Sequence, residues 1–164
     1  MLLEKNKNTI FAVLLMIFLV ELIRTAWISD DAAITLRTVI NFIHGYGATF
    51  NIDERVQAYT HPLWFLAISV ISILTNNIFV ATFILSIFTS LLALWVLFTK
   101  LSLNLYCSII AGFALTLSKA YVDFSTSGLE NPLSHLLILF GTLAAVKAID
   151  NTETRYVTLF FTLC

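Results

Sequence analysis

Residues 78–99 read IFVATFILSIFTSLLALWVLFT, a run without a charged side chain. A helix needs about 20 apolar residues to cross a hydrocarbon core about 30 Å thick, because each residue rises only about 1.5 Å. This run is long enough. Working outward from it, residues 9–28, 103–121 and 132–149 are also apolar enough to span. The run 62–75 is shorter and is expected to lie in the interface. The run 156–164 begins as another span and stops at Cys164, so the chain reads as a fragment of a longer protein. The chain is 59% hydrophobic and 12% charged over 164 residues, and one globular core of that length cannot bury so much apolar surface. This composition argues against a soluble enzyme. A net charge of −1 gives no support to nucleic acid as a partner. Five Gly and two Pro are too few for a linker-rich chain. The expected fold is all-α: a polytopic transmembrane helical bundle.

Orientation follows from the lysines and arginines near span ends. Lys5 and Lys7 precede the first span, Lys100 follows 78–99, and Lys147 and Arg155 flank the loop after 132–149. All fall on the cytoplasmic side if 62–75 does not cross. Residues 29–77 then form one long extracytoplasmic loop, and the short loop 121–131 lies on the same side. The first run resembles a signal peptide, but no small-residue cleavage site follows it, which favours a retained anchor. Cys107 and Cys164 have no partners at metal-ligand spacing and read as incidental.

The long loop carries most of the charge: Asp30, Asp31, Arg37, Asp53, Glu54 and Arg55, with His44 and His61. Ser29 or Asp30 caps a helix, and Gly45 ends it. Leu36, Val39, Ile40 and Ile43 form the apolar face of this helix. Asp30, Arg37, Asn41 and His44 form a polar stripe that either lines a groove or faces water. Residues 48–59 suit a short hairpin. Pro62 opens the short apolar helix as a first-turn residue. In the second loop, Glu130 and Asn131 stand at the entrance of the helix that Pro132 starts, where capping is the plain explanation.

Taken together, Trp27-Ile28-Ser29-Asp30-Asp31-Ala32, then Arg37, Asn41, Gly45-Tyr46-Gly47, Phe50-Asn51 and Glu54-Arg55-Val56-Gln57-Ala58-Tyr59-Thr60-His61-Pro62-Leu63-Trp64, resemble the start of GT-C glycosyltransferases of the bacterial arabinofuranosyltransferase type. Ser127-Gly128-Leu129-Glu130 resembles a later loop of that group. The resemblance covers roughly 27–132. It implies a multispan enzyme of the bacterial inner membrane, with its site on the periplasmic face. Such an enzyme moves a sugar, an arabinofuranose or other pentose, from a polyprenyl-phosphate carrier to a glycan, lipid or protein acceptor of the cell envelope.

The residues fit that chemistry. Sugar transfer needs a base for the acceptor hydroxyl, and Asp30 or Asp31 is the candidate. If a divalent cation binds, one of that pair is its expected ligand, since hard cations prefer oxygen. No other cofactor is implied. Glu130 is expected to close the site from the second loop. Arg37, Arg55 and Lys119 are candidate partners of the phosphate, with Asn41 beside them on the polar stripe. Tyr59, His61 and Trp64 are candidates to pack on the sugar or prenyl chain, although an interfacial aromatic belt explains Tyr59 and Trp64 equally well. The competing reading is a non-catalytic polytopic membrane protein, either a transporter or flippase fragment or an assembly subunit.

Overall fold

The computed structural model describes residues 6–54, 56–101 and 104–151. Arg55, Lys5, Arg155 and the apolar run 156–164 lie outside the described residues. The helices are α1 (Lys7–Arg24), α2 (Asp30–Ile43), α3 (Pro62–Thr75), α4 (Ile78–Val96), α5 (Leu105–Leu117), α6 (Lys119–Thr126) and α7 (Asn131–Asn151). A π-helical turn, Leu97–Leu101, extends α4. The all-α expectation holds, with no strand among the described residues.

Local chemistry sets the helix boundaries. Ser29 caps α2 by accepting from the backbone N–H of Ala32, and Asp30 and Asp31 occupy its first turn, where the helix dipole favours negative charge. Pro62 opens α3, where its missing N–H costs nothing. Asn76, at φ 53, ends α3, and Asn77 caps α4 two residues before Phe79. The apolar run expected at 103–121 breaks at Ser118, which has an extended backbone and caps α6. α5 and α6 meet at a 70° bend. The run expected at 9–28 leaves the helix after Arg24, so Ala26, Trp27 and Ile28 lie in a non-helical link.

α4 is the central helix and packs against α1, α3, α6 and α7. Phe11 of α1 stacks on Phe98 at 5.0 Å, beyond the end of α4, while Phe18 stacks on Tyr121 of α6 at 5.8 Å. α1 therefore runs antiparallel to α4 and reaches α6 with its C-terminal half. Thr82 near the start of α4 lies by Gly128, and Ala93 and Val96 pack with Leu136 of α7, so α4 and α7 run in the same direction. The chain thus goes along the bundle in α1, back in α4, forward in α5 and back in α7. Both loops lie at one end. α3 starts beside Glu130 and ends two residues before α4, at 14 residues or about 21 Å, too short to cross.

Among the described residues, Ile78–Leu101 and Asn131–Ala148 are long and apolar enough to cross a membrane, and the bent α5–α6 pair adds a third if counted as one span. α1, at 18 residues, adds a further apolar helix with Lys7, Glu21 and Arg24 toward its ends. Met16, Ile110 and Leu117 point outward with 60%, 69% and 80% of their surface exposed, as lipid-facing side chains do. In the interior, Thr82, Ser86, Thr89 and Ser90 of α4 are buried, and such small side chains let helices in a membrane approach closely. These apolar helices make the chain a membrane protein.

Candidate functional site where two loops meet

The link after α1 and the loop after α6 are joined by their backbones. Ser29 N–H donates to Ser127 O at 2.9 Å. The Trp27 indole N–H donates to Asp123 O at 2.9 Å, and the buried Trp64 indole N–H donates to Gly128 O at 3.0 Å. Gly128 has φ +85, and a Cβ built on it would come within 2.8 Å of the Ala32 Cβ and 3.1 Å of Ile28. A glycine is needed there for both reasons. The elements 27–32 and 127–130, more than ninety positions apart in sequence, are therefore one surface.

Asp30 and Asp31 are exposed on the first turn of α2, and neither carboxylate has a side-chain partner among the described residues. Glu130 is drawn in: its Oε1 lies 2.7 Å from His61 Nε2, with side-chain exposures of 22% for Glu130 and 48% for His61. Neither residue caps its helix through its side chain. His61 precedes α3 without a side-chain cap bond, and Glu130 serves α7 through its backbone carbonyl, which accepts from Ser134. An open cavity of about 420 Å³ borders the Glu130 end of α7, lined by Ala120, Tyr121, Phe124, Asn131 and His135. Tyr121 and His135 stack at 5.0 Å, and His135 Nδ1 is buried without a hydrogen-bond partner.

Within the polar stripe of α2, Asp30 faces outward while Arg37 and Asn41 have a use that neither sequence expectation named. Arg37 Nε donates to Phe50 O at 3.1 Å, its guanidinium lies 4.4 Å from the centre of the Phe50 ring, and Nη2 reaches Asn51 Oδ1 at 3.4 Å. Asn41 Nδ2 donates to Thr49 O at 2.9 Å and Phe50 O at 3.0 Å. The two side chains hold the 45–54 loop by its carbonyls. Those carbonyls are taken by side chains. Of the hairpin expected at 48–59 the polar turn at 51–54 is present, but no strand flanks it among the described residues, and 56–59 are irregular. His44 Nδ1 lies 2.7 Å from Ile40 O of its own helix.

The other candidates are placed as follows. Lys119 Nζ donates to Asp123 Oδ2 at 2.8 Å, one turn along α6. Tyr59 stacks on Phe65 at 4.4 Å, and Trp64 is 2% exposed, so both rings serve the packing of α3. Among the described residues no group of three or more His, Cys, Asp or Glu is gathered for a metal ion. Sequence reasoning overlooked Trp27 as an anchor and Gly128 as the point of closest approach. The advance signal for Gly128 was its place in the Ser127-Gly128-Leu129-Glu130 element, which did not say what the glycine touches.

Over 121 residues, 68% of the chain, the sequence is 36% identical to a terminal beta-(1->2)-arabinofuranosyltransferase of Corynebacterium glutamicum. Over 38 residues, 23% of the chain, it is 53% identical to a protein of the same name from Mycobacterium tuberculosis. The aligned parts are 17% and 6% of those relatives, so the chain corresponds to a small share of their length. No family model matches. No solved structure matches.

Proposed function

We propose that this arabinofuranosyltransferase-like chain contributes the loop-end catalytic surface of a GT-C glycosyltransferase in the bacterial inner membrane. On this reading residues 1–164 belong to a GT-C-like transmembrane domain whose loops face the periplasm. The enzyme transfers a pentose, arabinofuranose by analogy with the relatives, from a polyprenyl-phosphate carrier to a cell-envelope glycan, lipid or protein. The observation that carries the reading is the docking of 27–32 on 123–130, which joins the two acidic elements singled out by the resemblance.

The reaction replaces the bond between the anomeric carbon and the phosphate with one to an acceptor oxygen. It needs a group to take the acceptor's proton, and it needs charge to receive the departing phosphate. Asp30 and Asp31 offer open carboxylate oxygens for the proton or for a divalent cation. A cation shared with a substrate phosphate takes only one or two protein carboxylates, which this pair can supply. When bound, it would neutralise the phosphate. Arg55 remains a candidate phosphate contact. Arg37 and Lys119 would first have to leave Phe50 and Asp123.

The test is a transfer assay on membranes carrying the full-length gene product, with labelled polyprenyl-phosphoryl arabinofuranose and a cell-envelope glycan. Appearance of labelled glycan is expected. Tight binding of the lipid without label transfer under any cation or acceptor condition would instead support the non-catalytic reading.

A further inference from the structure

The geometry points to His61 as the base of the transfer and to Glu130 as the residue that positions it. This rests on the glycosyl-transfer reading, and it assigns the proton to a group other than the Asp30–Asp31 pair.

The argument starts with the contact. His61 Nε2 and Glu130 Oε1 are 2.7 Å apart, so Nε2–H donates to the carboxylate and the lone pair of the neutral ring sits on Nδ1. Nδ1 has no partner among the described residues, and the side chain is about half exposed, at 48%. A carboxylate that fixes one imidazole nitrogen and leaves the other open for a hydroxyl proton is the arrangement of the hydrolase triads, reached here without a serine.

The contact is not required to hold the loops together. Three other hydrogen bonds do that: Ser29 to Ser127, Trp27 to Asp123 and Trp64 to Gly128. Nor do the two side chains cap helices, the usual employment of polar residues at such positions. The other histidines near this end are used differently. His44 Nδ1 is turned onto its own helix, and His135 Nδ1 is buried against Tyr121. His61 is therefore the half-exposed histidine that pairs with a carboxylate through one ring nitrogen and has no partner for the other among the described residues.

The step balances. The acceptor oxygen forms its bond to the anomeric carbon as the carbon–phosphate oxygen bond breaks, and the phosphate leaves with the electron pair. The acceptor proton moves to His61 Nδ1, the resulting imidazolium is held by Glu130, and the proton then passes to water. Asp30 and Asp31 remain for the donor side.

The experiment is a kinetic comparison of wild type, His61→Gly and Glu130→Gln in membranes carrying the full-length protein, with labelled polyprenyl-phosphoryl arabinofuranose as donor. His61→Gly should lose about 10²–10⁴-fold in turnover, the range for general-base assistance, and added imidazole should restore part of it. Glu130→Gln, which keeps an acceptor oxygen for Nε2–H, should lose at least about tenfold in turnover with the donor KM unchanged. It covers the case in which His61→Gly misfolds. Wild-type transfer with full activity in Glu130→Gln, or with a His61→Gly deficit that imidazole leaves untouched, overturns the dyad while leaving the enzyme reading intact. Absence of transfer by wild type overturns both.

Discussion

Replacing Gly128 with alanine should uncouple the two loops, and its cost can be worked from two separate terms. The first is conformational: φ is +85, a left-handed backbone that costs an L-residue roughly 1–2 kcal/mol. The second is steric. The new Cβ would sit 2.8 Å from the Ala32 Cβ and 3.1 Å from Ile28 Cδ1, with Thr82 Cγ2 at 3.6 Å behind them. The first neighbour is fixed to a helix backbone and cannot swing away, so overpacking should add roughly 1–3 kcal/mol. The sum is about 2–5 kcal/mol. Gly45 provides the control: its φ is +81, yet nothing lies within 4 Å of a built Cβ, so Gly45→Ala should cost only the conformational term. Stability is read by denaturant titration of purified protein in detergent, following circular dichroism, with Trp64 emission as a local probe of its bond to Gly128. Adding Ala32→Gly to Gly128→Ala should recover part of the steric loss, less about 1 kcal/mol for glycine in a helix. If Gly128→Ala and Gly45→Ala are equally stable within about 0.5 kcal/mol, far below the difference overpacking predicts, the tight docking of α2 on the second loop is refuted.

Other perturbations address the remaining links. Ser29→Ala removes the cap on Ala32 N–H and should lower stability by about 1 kcal/mol, measured by the same titration. Asp30→Asn and Asp31→Asn should each abolish sugar transfer at unchanged expression, and full activity in both would remove the pair from the mechanism. Arg37→Met should free the 45–54 loop, detected as faster proteolytic cleavage there, while α2 stays folded. Single cysteines at Asn76 and Lys100 should label from opposite sides of sealed membrane vesicles; labelling from one side would overturn the arrangement in which α3 stays at the loop end.

The features legible in the sequence were those set by neighbours in the chain. Ser29 as cap, Pro62 as first-turn residue and the apolar length of 78–99 each follow from a few adjacent residues, and the structure contains all three. What escaped notice depends on partners far along the chain. The amphipathic stripe of α2 was visible as a period, but a period does not say whether Arg37 meets water, a ligand or a backbone. It meets the carbonyl of Phe50, and the turn expected at 51–54 forms without flanking strands among the described residues. Ser118 looked like part of a continuous apolar run, because a serine in an apolar segment carries no visible mark of a 70° bend. His61 was legible only as a side chain to pack on the sugar or prenyl chain, and Glu130 as a helix-entrance carboxylate or one that closes the site from the second loop. Only their 2.7 Å separation joins the two.

The manner of joining explains why these loops form one surface. The second loop offers the carbonyls of Asp123, Ser127 and Gly128, and the first loop answers with one backbone and two indole N–H groups. Near a bilayer, backbone groups left without partners are expensive, so each loop satisfies a need of the other. Indoles suit the task because they bury a large apolar body while spending one donor. Meeting these needs with backbone groups and tryptophans leaves the Asp30, Asp31, Glu130 and His61 side chains out of the joint. Asp30 and Asp31 keep open oxygens, and His61 and Glu130 are free to pair with each other. A surface whose scaffold consumes its carboxylates could not also move a proton. Here the division of labour is visible residue by residue, and it is the physical ground for assigning chemistry to the loop end of the bundle.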